Sequence, residues 1–435
     1  MKRYKIAIVG AGPSGYFTAQ AFQKAQKNNL SFSIDLIERL PTPWGLVRSG
    51  VAPDHQKVKT VSKVFEKIAK EPNFRLFANV ELGKDLALKD LRDHYDAVVL
   101  ATGAPKGRKI CVPGENLANS FSAAEFVPWY NGHPDYADLE VDLNCDTAVI
   151  IGAGNVALDV ARILSMDPQS LDSTDIALHS LKKLKSSKLR KVIVCGRRGP
   201  EHAAFTSVEL RNLLKLQGVN VIIEGDQIKY AKKRLESSGE LEKEVASNLA
   251  IMEVISGSSR EEIGKNLEIK FLLSPIEFKG LKKIEEIVFV ENEVENDRSK
   301  PSEKKSVIKC GLVITAIAYE SVSYSGIFIE HGRVKNIAGH VENNLYVTGW
   351  AKRGPIGVIG TNKSDSADVV DLIIKNLKEP KISEGITALL PSGHKIIDQI
   401  AWEKINAAEV ISGEISGKPR IKETDWEQLL NLGHA

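Results

Sequence analysis

Two glycine-rich stretches carry residues whose spacing suits the binding of a pyrophosphate. In the first, GAGPSG places Gly10, Gly12 and Gly15 directly after the apolar run YKIAIVG. After a buried strand, glycines at this spacing allow a tight turn, close backbone approach to a pyrophosphate, and a helix whose N-terminus faces the anion. Glu38 ends the next apolar run, FSIDLIE, where a carboxylate can bind a ribose diol. The stretch predicts a dinucleotide site, and an ordinary structural turn is the alternative.

The second stretch, GAGNVA, follows the apolar run DTAVII and repeats the pattern with one change. Gly152 and Gly154 take the first two positions, and Ala157 takes the third, where a small residue allows close packing of helix on strand. The next strand, KVIVC, leads into Gly196, Arg197 and Arg198 instead of an acid. A guanidinium pairs with a 2′-phosphate that a carboxylate would repel, so this site is predicted to prefer NADP(H). Two solvated arginines on a loop are the alternative.

Strands and helices must flank each of the two glycine-rich stretches to position it. Each reads as a buried parallel strand, a glycine turn and a helix, and the second begins after the first unit has already formed several strands. The fold class predicted is α/β, with two Rossmann-like dinucleotide-binding domains that have parallel sheets, the second inserted into the first. Two such sites in one chain indicate a flavin held by one and a nicotinamide cofactor bound by the other.

Length and composition exclude several classes of protein. At 435 residues, with 43% hydrophobic and 26% charged residues, the chain fits two or three globular domains. A net charge of +3 is too small for bulk nucleic-acid binding, so no nucleic-acid partner is expected. No apolar run approaches the roughly 18 residues of a membrane span. MKRYKIAIVGAG enters a strand at once, so no signal or transit peptide is expected.

The four cysteines, Cys111, Cys145, Cys195 and Cys310, form no C-x-x-C pair. Neither a disulfide framework nor a metal site is therefore predicted, and a reducing compartment is the default. The segment from Tyr230 to Ile308 is charged and weakly patterned. Within it, SSGELEKE and ENDRSKPSEKK are predicted to be surface turns.

Longer motifs carry a family resemblance over nearly the whole chain. They are GAGPSGYFTAQ, PWGLVRSGVAPDH, EFVPWYNGHPD, GAGNVALDVARIL, GRRGPEHAAFT, GWAKRGPIGVIGT and, in the tail, AWEKINAAEV and SGKPR. The sequence resembles the NADPH:adrenodoxin reductase family, the ferredoxin-NADP reductases built on the glutathione-reductase-like fold. The resemblance implies an FAD domain made of residues 1–105 and 319–435, with an NADP domain, 106–318, inserted between its parts.

The resemblance also implies site residues. For FAD they are Ser14, Glu38, Leu46, Leu82, Trp350 and the backbone of Gly357, Val358 and Ile359, which would lie against the isoalloxazine. For NADPH they are Ala153, Gly154, Asn155, Val156, Arg197, Arg198, Glu209 and, near the nicotinamide, Gly357. Two positions depart from the family pattern, since Ala318 replaces an expected glycine and Ile356 replaces the commoner threonine.

His55, in GVAPDH, and Glu209 are the predicted catalytic residues. An imidazole and a carboxylate near the flavin would orient the nicotinamide or handle the proton linked to flavin reduction. A structural histidine and a helix-surface carboxylate are the alternatives.

The predicted function is hydride transfer from NADPH to FAD, followed by single-electron transfer to a ferredoxin of the [2Fe-2S] or another type. One alternative is an NADPH diaphorase or quinone reductase without a protein partner. Another is a non-catalytic FAD- and NADP-binding interaction protein. A disulfide reductase on the same architecture would need a paired redox-active dithiol, which the cysteine spacing does not offer.

The predicted protein partner is a small acidic ferredoxin that docks on a basic surface. Lys232, Lys233 and Arg234 resemble the family's basic docking segment, with Arg211 as a companion, and a solvated run of charge is the alternative. The chain is expected to be a monomer in the cytoplasm, with a processed form in the mitochondrial matrix as the alternative location.

Overall fold

The computed structural model describes residues 2–26, 29–236, 242–258, 264–295, 298–383 and 385–435. The described chain divides into two compact units. The first comprises Met1–Lys106, Asn131–Pro134 and Tyr319–Ala435, and the second comprises Gly107–Tyr130 and Asp135–Ala318. Across these residues, no helix has both the length and the apolar character that crossing a membrane requires.

The strands, in chain order, are β1 (Lys2–Val9), β2 (Leu30–Glu38), β3 (Phe74–Ala78), β4 (Ala97–Leu100), β5 (Lys106–Gly107), β6 (Ser120–Ser122), β7 (Thr147–Ile151), β8 (Lys191–Cys195), β9 (Val219–Ile223), β10 (Lys265–Lys270), β11 (Leu273–Lys279), β12 (Glu286–Glu295), β13 (Arg298–Lys309), β14 (Leu312–Thr315), β15 (Tyr319–Glu320), β16 (Ile329–Glu330), β17 (Arg333–Val334), β18 (His340–Glu342) and β19 (Leu345–Val347).

The α-helices are α1 (Pro13–Ala25), α2 (Leu46–Ser49), α3 (Gln56–Lys59), α4 (Ser62–Ala69), α5 (Leu88–His94), α6 (Ala123–Asn131), α7 (Asn155–Ser165), α8 (Leu178–Lys185), α9 (Ser207–Leu213), α10 (Gly225–Glu236), α11 (Lys243–Ser256), α12 (Trp350–Arg353), α13 (Thr361–Asn376), α14 (Gln399–Ile415) and α15 (Trp426–His434). Short 3-10 helices span Pro134–Tyr136, Pro168–Leu171, Pro200–His202 and Ile386–Ala388.

The first unit is built on a sheet with the strand order β18-β19-β4-β1-β2-β3. Strands β19, β4, β1, β2 and β3 run parallel, and β18 pairs antiparallel at the edge. Its central side chains, among them Ile6, Ile8, Leu36 and Val99, are fully buried. Both faces of a parallel sheet are covered, which is why these strands read as continuous apolar runs.

The second unit contains an all-parallel sheet with the order β6-β14-β7-β8-β10-β9. An antiparallel sheet, β11-β12-β13, packs on it through a shared hydrophobic core that includes Val149, Ile193, Phe278 and Phe289. The predicted α/β class with two parallel sheets is therefore confirmed.

The weakly patterned segment from Tyr230 to Ile308 is more regular than the sequence indicated. It contains α11, β10 and the three strands of the antiparallel sheet. The turn predicted at ENDRSKPSEKK is wrong from Arg298 onward, because β13 pairs with β12 there. Its lysines and Pro301 suit a partly exposed strand that pairs on one side. Asn296, Asp297 and residues 237–241 of SSGELEKE lie outside the described residues.

Two short segments of the first unit contain helices next to the site. In GWAKRG, Trp350–Arg353 forms a short helix that follows the strand Leu345–Val347. The segment after His55 forms two helices, α3 and α4.

Candidate functional site

Two glycines of the first loop are closely packed against the protein, and the third is open. A Cβ on Gly10 would lie 2.5 Å from the Ala101 carbonyl oxygen, and one on Gly15 would lie 2.0 Å from the Gly10 oxygen. These two glycines are required by the packing of the protein itself. A Cβ on Gly12 would meet only the Gly45 Cα, at 3.9 Å. Space at Gly12 is therefore left for something other than the protein, as a pyrophosphate site requires.

Helix α1 starts at this open position without a side-chain cap. Gly12 is its N-cap residue, and Pro13 occupies the first turn. The backbone N–H groups at the start of the helix have no intrahelical partners, and the helix dipole places partial positive charge there. An anion held at the loop would satisfy both features.

Glu38 lies beside the loop and holds its backbone. One carboxylate oxygen accepts a hydrogen bond from the Ala11 N–H at 2.8 Å, and the other accepts from Leu40 at 3.0 Å. Burial raises the pKa of the Glu38 carboxyl despite these two bonds. The acid is thus at the end of β2, next to the glycine loop, where the sequence predicted it.

Two more turns of the first unit approach the same helix start. A Cβ on Gly45 would be 2.9 Å from the Gly12 Cα, and one on Gly349 would be 1.9 Å from the Ser14 hydroxyl. The Trp44 N–H donates to the Ala11 oxygen at 2.8 Å. The sequence prediction missed Gly45 and Gly349, although the Pro-Trp-Gly and Gly-Trp pairs were the available signals.

The side chains around these turns are tied to α13. Ser14 Oγ donates to Asn362 Oδ1 at 3.0 Å, and Asp365 accepts from the Gly349 N–H at 2.6 Å. Burial works against the charge of Asp365, but hydrogen bonds from Lys352 and Gly349 and the charge of Arg353 lower its pKa. Asn362 and Asp365 were not among the predicted site residues, because nothing in their local sequence marks them.

The remaining predicted FAD residues differ in exposure. Leu46, the first residue of α2, is 45% exposed, whereas Leu82 is buried in the hydrophobic core. Trp350 starts α12, and its ring lies 6.1 Å from that of Tyr319. These positions are compatible with backbone and ring contacts to a cofactor, and the contacts themselves stay predictions.

The segment Gly357–Ile359 lies just before α13. Gly357 has φ +84°, a left-handed conformation that favours glycine. The Val358 N–H donates to Thr361 Oγ1 at 3.2 Å, while the Val358 side chain is 67% exposed. Ile356, which replaces the commoner threonine, is 69% exposed. Exposed aliphatic groups at a helix start suit contact with a flat apolar ring.

The second glycine loop, in the second unit, likewise has one closely packed glycine and one open glycine. A Cβ on Gly152 would be 2.2 Å from the Ala316 oxygen, whereas one on Gly154 would meet nothing within 4 Å. Gly154 is the N-cap of α7, again without a side-chain cap, and Ala157 is fully buried. Asn155 Oδ1 accepts from the Thr206 N–H at 2.8 Å, which ties the loop to the residues before α9.

Arg197 and Arg198 follow β8 after one intervening residue, Gly196, and both are exposed. Neither guanidinium has an ion pair or a hydrogen bond to any residue that the structure describes. Two adjacent uncompensated cations beside an open helix N-terminus suit a phosphate group. The first loop has a carboxylate at the equivalent strand end, so the two sites differ in the charge they select.

Comparison with known proteins agrees with this geometry. The profile of the pyridine nucleotide-disulphide oxidoreductase family matches residues 4–253. The NADPH-ferredoxin reductase FprA of Mycobacterium tuberculosis is 40% identical over 459 residues, covering 100% of both chains. Human mitochondrial NADPH:adrenodoxin oxidoreductase is 37% identical, covering 100% of this chain and 93% of the relative. The chain belongs to the NADPH:adrenodoxin reductase family.

A solved structure supports the same assignment to this family. Mycobacterium tuberculosis FprA in complex with NADPH superposes with a TM-score of 0.95 at 40% identity, with 100% of each chain covered. The family resemblance, the oxidoreductase class and the two cofactors, FAD and NADP(H), are thereby confirmed. The individual contact residues and the domain limits remain predictions.

Two of the four cysteines are poorly suited to disulfide exchange. All four lie in the second unit, and the structure has them as free thiols. Burial raises the pKa of Cys195 and of Cys310 to about 12 in each case, so both remain protonated at neutral pH. A thiol in that state is a poor nucleophile for exchange with a disulfide.

The two predicted catalytic residues of the family site stand in different units. His55 precedes α3 in the first unit, and its backbone N–H donates a hydrogen bond to the Ala52 carbonyl oxygen at 3.0 Å. Glu209 lies in the first turn of α9, and its carboxylate is 3.5 Å from the buried Arg162 guanidinium and 3.3 Å from Asn212 Nδ2. Glu209 is therefore part of a charged network. Catalytic roles for both residues stay predictions.

The basic residues predicted for docking do not all have exposed, unpaired charges. Arg234 on α10 donates to the buried Glu201 at 2.9 Å, and Lys232 pairs with Glu253 at 2.5 Å. Arg211 on α9 is exposed and donates to Ser247 at 3.0 Å. Lys233 is exposed and has no ion pair with a described residue.

Proposed function

We propose that this chain is an FAD-dependent NADPH:ferredoxin reductase. The observation that carries the proposal is the pair of open, uncapped helix N-termini, one beside a carboxylate and the other beside two exposed arginines. Bound FAD would supply the conversion of a two-electron hydride into single electrons. The names of relatives such as FprA support a ferredoxin as the acceptor.

The chain's own residues supply binding and orientation. Gly12 and Gly154 leave room for a pyrophosphate at each helix start, and Glu38 lies where the FAD ribose would bind. Arg197 and Arg198 would pair with the 2′-phosphate of NADP(H). We assign FAD to residues 1–105 and 319–435 and NADP(H) to 106–318. His55 and Glu209 would orient the nicotinamide or hold the linked proton.

The proposed electron acceptor is a small protein that docks on a basic surface of the chain. The ferredoxin is proposed to be acidic and to dock through Arg211, Lys232, Lys233 and Arg234, of which Lys233 has the clearest exposed charge. A monomer in the cytoplasm is proposed as the working form. The free thiols support a reducing compartment.

Flavin reduction and ferredoxin-dependent cytochrome c reduction test the proposed function. Under anaerobic conditions, NADPH should bleach the visible flavin absorbance, and cytochrome c reduction should require an added ferredoxin. A flavin spectrum that NADPH leaves unchanged would contradict the enzymatic function and favour a binding protein. Equal rates with and without ferredoxins, combined with fast quinone reduction, would favour the diaphorase alternative.

A further inference from the structure

A buried asparagine lies against the loop that carries Arg197 and Arg198. Asn292 is in β12 and is only 6% exposed. Its side-chain amide donates to the Arg197 carbonyl oxygen at 2.8 Å and to Ser274 Oγ at 2.8 Å. Both hydrogens of the amide are therefore used, one of them on the backbone of an arginine that faces solvent.

The antiparallel sheet and Leu272, the residue just before β11, bind three consecutive carbonyls of this loop. The Leu273 N–H donates to the Gly196 oxygen at 3.0 Å, Asn292 binds that of Arg197, and the Leu272 N–H donates to that of Arg198 at 3.2 Å. The Asn292 N–H in turn donates to the Leu272 oxygen at 2.7 Å. Asn292 is the one side chain in this set, and it contacts both the loop and the segment that holds the loop.

Asparagine is an unusual residue for this position. It is depleted in strands, and its burial is unfavourable because only the amide nitrogen is hydrogen-bonded, while Oδ1 has no partner among the described residues. The pairing of β12 with β13 shifts register between Val290 and Asn292, and such an irregularity re-aims side chains. The amide at this irregularity therefore has a specific task, which the contacts identify as holding the Arg197 backbone.

We propose that Asn292 is a positioning residue for recognition of the 2′-phosphate of NADP(H). The inference rests on the proposed role of Arg197 and Arg198. Their side chains are exposed and flexible, so binding a phosphate requires them to lose conformational freedom. The loop backbone is already held at three consecutive carbonyls, so less main-chain conformational entropy is lost when a phosphate binds. Asn292 thus affects selectivity without contacting the cofactor.

The experiment uses the FAD-loaded protein and two probes that differ only in the 2′-phosphate, 2′-phospho-ADP-ribose and ADP-ribose. Calorimetric titration gives both dissociation constants. Asn292→Ala should weaken 2′-phospho-ADP-ribose about tenfold, the size expected for loss of one hydrogen bond that orders the site. ADP-ribose binding should change by less than about twofold, and NADPH but not NADH should show a raised KM.

Ser274→Ala is the matched control, because it removes the other partner of the same amide and leaves the Arg197 bond in place. It should bind both probes like the wild type. If Asn292→Ala does not fold, as judged by thermal unfolding and flavin content, Asn292→Ser is measured instead, since its shorter side chain withdraws the donor from the Arg197 carbonyl. Unchanged binding, or equal weakening of both probes, would overturn the inference.

The double variant Arg197→Ala with Arg198→Ala separates this inference from the proposed function. If that variant keeps the preference for 2′-phospho-ADP-ribose, the arginines do not bind the phosphate and the proposed NADP site is wrong. If the double variant loses the preference while the Asn292 variants keep it, only the positioning role fails.

Discussion

At the middle glycine of each glycine-rich loop, an added side chain would meet almost no protein atom. Gly12 and Gly154 have φ values of −85° and −118°, which any residue can adopt. Their neighbours within the protein lie at 3.9 Å or beyond 4 Å from an added Cβ. At these two residues, a methyl group therefore tests ligand binding with little effect on folding.

Gly12→Ala should yield a folded protein whose FAD affinity is reduced at least about tenfold, since the methyl blocks backbone approach to the pyrophosphate. Gly154→Ala should keep FAD and lose NADPH affinity by a similar factor. Flavin absorbance and NADPH titration measure the two effects. Gly15→Ala is the contrasting control, because its Cβ would lie 2.0 Å from the Gly10 oxygen and should destabilise the fold. Full FAD content in folded Gly12→Ala would disprove the loop assignment.

At the scale of the element, α10 has a structural role and also carries residues proposed for docking. Arg234 is bonded to Glu201, which is 7% exposed, so this pair anchors the helix to the 3-10 turn at Pro200–His202. Lys233 is exposed. The basic segment is therefore not a uniform surface, and neutralising all of its residues together would mix two effects.

Lys232→Ala with Lys233→Ala should raise the KM for ferredoxin about three- to tenfold at low salt and flatten its salt dependence, because charge steering acts mainly on association. Ferricyanide reduction by NADPH should stay unchanged. Lys229→Ala, on the same helix and outside the predicted docking residues, is the matched control. A wild-type KM at low salt would remove this surface as the docking site.

Arg234→Ala should act differently, by lowering the free energy of unfolding. It leaves the buried Glu201 carboxylate without this ion-pair partner, and loss of one member of a buried pair costs about 3 to 5 kcal/mol. Partial exposure of Arg234 places the expected loss at or below the lower end of that range. Chemical denaturation measures it, and unchanged stability would show that the pair is only a surface contact.

At the scale of the whole molecule, the C-terminal segment of the chain holds the turn next to the first glycine loop. Glu409 on α14 is 2% exposed and accepts from Arg48 at 2.7 Å and from Arg420 at 3.2 Å. Lys422 donates to the Arg48 carbonyl oxygen at 3.0 Å, and Trp402 lies edge-on to Trp44 at 5.0 Å. Residues more than 300 positions apart thus build one wall of the first unit.

Glu409→Gln should lower the free energy of unfolding by about 3 to 5 kcal/mol, since it leaves the buried Arg48 guanidinium and the partly buried Arg420 guanidinium without their carboxylate. Burial opposes the charge of Glu409, but Arg48 and Arg420 outweigh it and lower the carboxyl pKa from 4.5. The stabilisation is therefore complete above about pH 4.5 and is lost as the pH falls through the lower folded-state pKa.

Denaturant titrations at several pH values measure this effect, and Glu414→Gln, exposed on the same helix, is the control. The difference between wild type and Glu409→Gln should shrink on acidification, whereas Glu414→Gln should match the wild type throughout. A difference that does not depend on pH would contradict the assignment of the effect to the ionised carboxylate.

The sequence alone determined the features whose geometry is local. A strand, a glycine turn and a helix involve adjacent residues, so the sequence placed Gly10 and Gly152 in turns and Glu38 and the two arginines near strand ends, as observed. Their cofactor contacts stay predictions. Buried parallel strands were recognisable from their apolar runs for the same reason. The charged strand β13 was missed, because an exposed edge strand lacks the apolar pattern that marks buried ones.

Only the tertiary structure decided which glycine leaves room for a ligand, and which charges are already paired. Asn292 meets the Arg197 carbonyl across 95 positions of sequence, and Glu409 meets Arg48 across 361. Such contacts depend on how sheets and helices pack, and no local sequence pattern at Asn292 or Glu409 predicts the partner. Burial and pairing are properties of the packed chain, so they follow from the fold and not from residue type or spacing.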